Sequence, residues 1–120
     1  MKIAVTANGK TLDSPVDPRF GRAANFILVD TETGGFEVVD NAQNLNAAQG
    51  AGIQAGETVS KMGAEVVITG HCGPKAFRTL RAAGIQVLVG AQGTVAEAVE
   101  AFKAGKLKPT ETADVDGHWA

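Results

Sequence analysis

The second half of the chain repeats one pattern, a short apolar strand followed by a helix, and this repeat limits the possible folds. The runs at 65–69 and 85–89 are almost continuously apolar, which is typical of strands buried on both faces. A helical pattern follows each of them. Strands joined through a helix pair in parallel by right-handed connections. The repeat therefore predicts an α/β sheet covered by helices.

The three predicted helices have clear boundaries. The first ends at Gly63, the second runs from Pro74 at its first position to Gly84, and the third begins at a capping box of Thr94 with Glu97 and closes at Gly105. Apolar residues recur at three- and four-residue spacing and predict the inward-facing positions. These are Ala48, Ala51, Ala55, Val59 and Met62, then Ala76, Phe77, Leu80 and Ala83, then Val95, Ala98, Val99 and Phe102.

The first half of the chain begins with strands. Residues 2–7 read as a short apolar strand, and a long loop of residues 8–23 follows. The β-rich runs 25–31 and 36–40 are separated by Glu-Thr-Gly-Gly, in which glycine supplies the positive φ of a hairpin turn. We therefore predict an antiparallel hairpin at one edge of a mixed sheet.

Length and composition predict one domain. The chain has 120 residues, of which 44% are hydrophobic, and this suits a single core. We predict a single α/β domain, with residues 1–107 as its body. Residues 108–120 hold a proline, several acids, His118 and Trp119, and we predict that they form an extended or disordered tail.

Charge, hydropathy and cysteine content exclude several classes of protein. The net charge of −2 comes without a run of like charges, so we expect no nucleic-acid partner. No apolar stretch reaches the roughly 18 residues of a membrane span, and the first residues lack the apolar segment of a signal peptide. We therefore expect a cytoplasmic protein with no membrane partner. The single Cys72 excludes an internal disulfide and a four-cysteine zinc site.

A candidate binding site lies at the carboxyl ends of the parallel strands, where ligands of open α/β sheets bind. Three segments follow such ends, the loop 8–23 and the glycine-containing turns 70–74 and 90–94. Both turns lead into helix N-termini, whose unpaired N–H groups favour an anion. For Gly90 and Gly93, a tight turn without a ligand is the alternative.

Four side chains in these segments are candidates for binding a metal or an anion. His71 and Cys72 are good ligands for soft or borderline metals, but neighbours in an extended turn point apart and do not chelate one ion together. The alternatives are a buried thiol for Cys72 and an ordinary turn residue for His71. Arg19 and Arg22 lie in a loop stiffened by two prolines, where a guanidinium loses less entropy on binding an anion. A solvated loop with a contact from Asp17 to Arg19 is the alternative for that pair.

Signals for catalysis are few. The chain has no G-x-G-x-x-G, G-x-S-x-G or Walker sequence. Cys72 lacks a base, because His71 is its neighbour and His118 lies in the tail. Two-metal hydrolysis needs converging carboxylates, and a nuclease would have to use strand acids such as Asp30 or Asp40. We therefore expect a protein that is not an enzyme.

Four blocks resemble the dinitrogenase iron-molybdenum cofactor biosynthesis family over residues 1–107. They are KIAVTA, SPVDPRFGRAANFILVD, TGHCGPKAFRTLRAAGIQV and GTVAEAVEAFKAGKL, in the family's order and spacing. The family includes NifX-type carriers, the carboxyl-terminal domain of NifB-type proteins and small stand-alone members. The resemblance implies a ribonuclease-H-like α/β fold, with a mixed five-stranded sheet flanked by about three helices, and binding rather than catalysis.

The resemblance also implies a function and a site. The implied function is a carrier of an anionic metal-sulfide cluster, either Fe/Mo-sulfide or Mo/Cu-sulfide, in cluster assembly or transfer with other assembly proteins. By position the implied site comprises Arg19, Phe20, Gly21, Arg22, Gly70, His71, Cys72, Gly73, Gly90, Gly93 and Thr94, with His71 and Cys72 as candidate metal ligands. Arginine and helix N–H groups can bond to sulfides without displacing the cluster's own ligands. The alternative is a regulatory or interaction module that uses the same loops for another anion or a protein partner.

Overall fold

The computed structural model describes residues 1–41 and 51–110, which form one five-stranded sheet and three helices. The elements are β1 (Lys2–Ala7), β2 (Asn25–Asp30), β3 (Phe36–Asp40), α1 (Ala51–Lys61), β4 (Val66–Ile68), α2 (Pro74–Ala82), β5 (Gln86–Leu88) and α3 (Val95–Lys103). The strand order is β3-β2-β1-β4-β5. The predicted mixed α/β fold is confirmed. Ala48 and residues 111–120, with His118 and Trp119, lie outside the described residues.

The sheet is antiparallel on one side of β1 and parallel on the other. β1 and β3 both pair antiparallel with β2, whereas β4 pairs in parallel with β1 and with β5. In the hairpin between β2 and β3, Gly34 has a φ of 78° and donates its N–H to the Asp30 carbonyl at 2.8 Å. This confirms the predicted antiparallel hairpin, with β3 at the edge of the sheet.

Two of the parallel strands, β4 and β5, are shorter than predicted. β4 and β5 span three residues each, within the predicted runs 65–69 and 85–89. The Gln86 N–H bonds to the Glu65 carbonyl and the Thr69 N–H to the Leu88 carbonyl, so the pairing extends one residue past the assigned ends. The prediction differs from the structure only where the strands enter turns.

Each face of the sheet carries its own hydrophobic layer. The face that α1 and α2 cover includes Phe20, Phe26, Val59, Phe77 and Leu80, and the opposite face, under α3, includes Ile3, Ile27, Ile68, Val95 and Val99. α1 and α2 pack closely because Gly56 faces Thr79. A Cβ at Gly56 would lie 2.8 Å from the Thr79 Cγ2, so a larger residue here would force the two helices or the Thr79 side chain to shift.

One predicted inward position is wrong. Ala83 is exposed, because α2 ends at Ala82 and Ala83 is its C-cap residue, donating its N–H to the Thr79 and Leu80 carbonyls. The chain then turns at Gly84, where φ is 77°. Met62 and Phe102 are half-buried at the margins of the two layers. No helix in the described ranges is long and apolar enough to cross a bilayer.

The packing predicts a large difference between two phenylalanines. Phe26 is fully buried, with its ring centroid 5.6 Å from that of Phe20, whereas Phe36 on the edge strand is 43% exposed. We expect Phe26→Ala to lower the free energy of unfolding by about 3–5 kcal/mol, because it leaves a cavity in the core. The matched Phe36→Ala should lower it by only about 0.5 kcal/mol. Urea unfolding followed by circular dichroism measures both, and equal losses would contradict the assignment of the core.

Candidate functional site

The first loop, residues 8–23, lies across the edge of the sheet where β1, β4 and β5 end, which we call the carboxyl edge. Its backbone bonds to both neighbouring turns. The Val16 N–H donates to the Gly93 carbonyl at 2.9 Å and the Phe20 N–H to the His71 carbonyl at 3.2 Å. Arg19 also forms an isolated parallel bridge with His71. The structure thus brings together the three segments that the sequence placed at this edge.

Gly70 allows the first loop to approach the turn after β4. A Cβ at this position would lie 2.7 Å from the Pro18 Cα and 2.8 Å from the Pro18 carbonyl oxygen, and backbone atoms cannot move aside cheaply. The Gly70 carbonyl also accepts the Gly90 N–H at 2.8 Å. A single glycine therefore joins the first loop, the turn after β4 and the turn after β5.

The first loop is also fixed from within by buried polar groups. The Thr6 hydroxyl donates to the Asp17 carbonyl at 2.8 Å, and its oxygen forms a second hydrogen bond with the Thr69 hydroxyl at 2.9 Å. The Asp17 Oδ1 accepts the Arg19 backbone N–H at 3.0 Å. The contact between Asp17 and Arg19 is therefore made by the Arg19 backbone. It holds the loop and leaves the guanidinium unengaged by Asp17.

The two arginines and His71 are the predicted polar side chains that remain accessible at the carboxyl edge. Arg19 is exposed, and Arg22 and His71 are half-buried. No carboxylate of residues 1–41 or 51–110 forms an ion pair with either guanidinium. Both cations are therefore available to an anion from solution.

Asn41, which the sequence analysis did not single out, supports the stretch that carries Arg22. Its side-chain Nδ2 donates to the Gly21 carbonyl at 3.2 Å and to the Ala23 carbonyl at 2.9 Å. Asn41 is fully buried at the carboxyl end of β3. No local sequence signal marks this role, because its acceptors lie about 20 positions earlier in the chain.

Two of the predicted site residues have buried side chains. Phe20 and Cys72 are both 0% exposed and belong to the hydrophobic layer under α1 and α2. The Cys72 thiol lies 3.7 Å from the Gly73 carbonyl, to which it donates. Cys72 is thus the buried thiol that the sequence analysis named as an alternative.

The backbone N–H groups at the N-terminus of α3 already donate hydrogen bonds within the protein. The Thr94 N–H donates to the Glu97 Oε1 at 3.0 Å and the Glu97 N–H to the Thr94 Oγ1 at 3.1 Å, which confirms the predicted capping box. The next two N–H groups donate to carbonyls of the first loop, from Val95 to Ser14 and from Ala96 to Leu12, both at 2.9 Å. The expectation that this helix end offers free N–H groups to an anion is wrong, because the first loop occupies them.

The N-terminus of α2 is different. Its N-cap residue is Gly73, no side chain caps it, Pro74 occupies the first position, and its first turn contains no acidic residue. Lys75 and Ala76 lie too early in the helix for their N–H groups to have intrahelical partners. The positive end of the helix dipole therefore lies beside His71 at the carboxyl edge.

The described residues contain no metal-chelating cluster. No group of three or more His, Cys, Asp or Glu residues is placed to hold a metal ion in residues 1–41 and 51–110. The strand acids do not converge, since Asp30 lies opposite Lys2 at one end of the sheet and Asp40 opposite Asn25 at the other. The pKa of Asp30 is lowered because its carboxylate accepts the Glu32 N–H, a local turn contact. The arrangement at the carboxyl edge is suited to holding an anion by N–H donors.

Comparison with known proteins identifies clear relatives. The model of the family described as "Dinitrogenase iron-molybdenum cofactor" matches residues 1–105. The apo form of the orange protein from Desulfovibrio gigas is 46% identical, with a TM-score of 0.93 over 95% of this chain and 96% of that one. A NifB-like protein from Thermotoga is 40% identical, with a TM-score of 0.80 over 95% of this chain and 98% of that one. An uncharacterised protein of Methanocaldococcus jannaschii is 30% identical over 92% of both chains.

The contact between Gly70 and Pro18 predicts the effect of adding one methyl group. We expect Gly70→Ala to lower the free energy of unfolding by about 1–3 kcal/mol, because its Cβ overlaps Pro18 backbone atoms. The Phe20 amide, which bonds to His71, should then exchange its hydrogen faster. Gly35→Ala is the matched control, since the nearest atom to its Cβ is at 3.4 Å. An unchanged exchange rate at Phe20 in Gly70→Ala would show that this contact does not hold the first loop.

Proposed function

Because this chain belongs to the dinitrogenase iron-molybdenum cofactor family, we propose that it is a non-catalytic carrier that binds an anionic metal-sulfide cluster at the carboxyl edge. Family membership supports a role in cofactor biosynthesis or cluster binding. The finer proposal is that the cluster, an iron-molybdenum sulfide or a molybdenum-copper sulfide, is cargo. The protein receives it from one assembly protein and passes it to another.

The proposal rests on the type of hydrogen-bond donor that the carboxyl edge presents. A bare metal ion needs several protein ligands, and the described residues provide no group of three. The edge instead presents the cations Arg19 and Arg22 and the uncapped N-terminus of α2. A metal-sulfide cluster brings its own sulfide ligands and carries diffuse negative charge. N–H donors suit such a guest, since they bond to sulfide without competing for the metal.

The proposed site has a cationic side and a turn side. Arg19 and Arg22 lie on the fixed first loop, which lowers the entropy lost when they close on an anion. His71 bridges to Arg19 through the backbone and supplies the half-buried imidazole, which can form one direct bond to a metal. Gly70 keeps the first loop close to the turn that carries His71.

Other residues of the implied site have supporting roles in this proposal. Gly90, Gly93 and Thr94 shape the third turn, whose helix end is filled by the capping box and the first loop. Phe20 anchors the first loop in the core beside Phe26. Cys72 packs beneath the turn with its thiol inaccessible, so we assign the metal bond to His71 and not to Cys72.

The relatives support a loaded state of this chain. The similar orange protein is described in its apo form, a term used for a protein that also has a bound form. The Thermotoga relative carries the NifB name, which fits a role in cofactor assembly. Both similarities extend over 95% of this chain.

A second candidate follows from the same donors. Arginine and helix N–H groups also bind phosphate oxygens, so a regulatory module that binds a phosphate compound would use the same edge. A ligand that binds the native state raises the unfolding temperature. A shift with a nucleotide and none with thiomolybdate would favour this candidate over the carrier.

The two arginines provide the first test. We expect the double substitution of Arg19→Ala and Arg22→Ala to weaken binding of tetrathiomolybdate plus copper by roughly 100-fold or more, since each charged hydrogen bond contributes about 1.5–3 kcal/mol. Titration followed by visible absorption measures the affinity. The stability of the double variant should stay close to that of the wild type, because neither side chain is fully buried.

Two controls make this test specific. Replacing both arginines with lysine keeps the charge and removes the planar fork, so an intermediate affinity is expected. Arg78→Ala removes an exposed arginine on α2, away from the first loop, and should leave the affinity unchanged. Equal affinity of the wild type and the Arg19/Arg22 variant would contradict the proposed site.

The pair His71 and Cys72 provides the second test. We expect His71→Ala to shift the charge-transfer bands of the bound cluster, because it removes the accessible metal ligand. Cys72→Ala should preserve the bands and the stoichiometry and lower the free energy of unfolding by about 1 kcal/mol, as typical for a small loss of core volume. Loss of the cluster in Cys72→Ala with unchanged bands in His71→Ala would reverse the assignment.

A further inference from the structure

The exposed side of α2 presents a row of cations with no acid among them. Lys75, Arg78 and Arg81 are spaced three residues apart and are all exposed, and α2 contains no acidic residue. Side chains three apart on a helix are neighbours on its surface. We call these three residues the α2 cation row.

The α2 cation row is not neutralised within the described protein. Among residues 1–41 and 51–110, no carboxylate pairs with any of the three side chains, and none of the three forms a hydrogen bond. Like charges at this spacing repel each other and destabilise a helix. The chain has a net charge of −2, so the row is a local excess of positive charge. All three charges are therefore available to an anionic partner from solution.

One end of the row is partly fixed before any partner binds. The Arg81 guanidinium lies 5.6 Å from the centre of the Phe77 ring, and Phe77 is buried. A cation over the face of an aromatic ring is attracted to it. A guanidinium that is already positioned loses less side-chain entropy when it pairs with a carboxylate. Arg81 is therefore preorganised for binding.

The spacing of the row indicates the kind of partner. Lys75 and Arg81 are six residues apart, which places them about 9 Å apart along the helix axis. Several carboxylates on one protein surface match this span, whereas a single small anion is much shorter. The exposed residues of α2 include no aromatic or large apolar side chain. This face therefore lacks the groups that stack on nucleic-acid bases or insert into lipid.

We propose that α2 is a docking surface for an acidic surface of another protein, whose carboxylates pair with Lys75, Arg78 and Arg81. The row begins two residues after Gly73, the N-cap residue at the carboxyl edge. A protein docked on the row therefore lies beside that edge. The passing of a cluster between the two proteins rests on the proposed function, whereas the docking itself does not. The contact is electrostatic and exposed, so salt weakens it.

A short acidic peptide tests the docking surface. Hexaglutamate is the probe and hexaglutamine is its neutral control, each titrated at pH 7 and low salt into the full chain labelled with nitrogen-15. We expect hexaglutamate to change the amide chemical shifts mainly of residues 74–82, and hexaglutamine to change none. In roughly 1 M NaCl, where the Debye length falls to about 3 Å, the affinity for hexaglutamate should fall about tenfold or more.

Removal of charge identifies the cations involved. The triple variant Lys75→Gln, Arg78→Gln and Arg81→Gln keeps residues that favour a helix and removes three positive charges. Its affinity for hexaglutamate should be about tenfold lower than that of the wild type, as expected for the loss of three exposed ion pairs. Circular dichroism verifies that the variant is folded.

A matched variant removes the same charge elsewhere. Lys2→Gln, Lys61→Gln and Lys106→Gln replace three lysines that are exposed outside α2, so together they should leave the affinity for hexaglutamate unchanged. The double variant Arg19→Ala and Arg22→Ala should also keep this affinity, because the peptide docks on α2. Failure of the wild type to bind tetrathiomolybdate and copper would contradict the proposed function and not the docking.

Three results would overturn the docking proposal. One is equal affinity of the wild type and the α2 triple variant for hexaglutamate, including no detectable binding by either. Another is binding that is lost in the Arg19/Arg22 variant and changes only the amide shifts around those residues, which would place the peptide at the carboxyl edge. The third is tighter binding of hexathymidylate, a single strand of similar charge, which would indicate a nucleic-acid partner. Binding that favours hexaglutamate and is lost only in the α2 variant supports the proposal.

Discussion

The carboxyl edge depends on the attachment of the first loop across the ends of three strands. Val16 bonds to Gly93, Phe20 bonds to His71, and Pro18 lies so close to Gly70 that a Cβ there would overlap its backbone. These contacts fix the loop that carries the two arginines. They also decide which helix end stays open, because the carbonyls of the same loop fill the N-terminus of α3. The N-terminus of α2 receives no such cap.

The distribution of charge follows from this arrangement. The chain as a whole has a net charge of −2, yet the carboxyl edge combines two arginines with the positive end of a helix dipole. Among the described residues, no group of three or more His, Cys, Asp or Glu side chains could chelate a metal ion. A site made of N–H donors suits a guest that already has its own metal ligands. Such a guest can be released without breaking many metal bonds. The proposed carrier function requires reversible binding of this kind.

Sequence patterns predicted most of the fold, because its signals are local. Alternating strands and helices, the glycine turn of the hairpin, Pro74 at a helix start and the Thr94 capping box each act within a few residues. The failures depend on contacts distant in sequence. Nothing near α3 shows that carbonyls about 80 positions earlier satisfy its first N–H groups. The role of Asn41 has no local signal for the same reason, and the sequence leaves the burial of Cys72 open because a thiol suits both a core and a metal site.

The central claim is that the carboxyl edge holds a metal-sulfide cluster. The most direct measurement is metal and acid-labile sulfide analysis, with an absorption spectrum, on protein purified without oxygen and again after incubation with tetrathiomolybdate and copper. The carrier account predicts a stoichiometric cluster with visible charge-transfer bands in at least the second preparation. A colourless, metal-free protein in both preparations would contradict it.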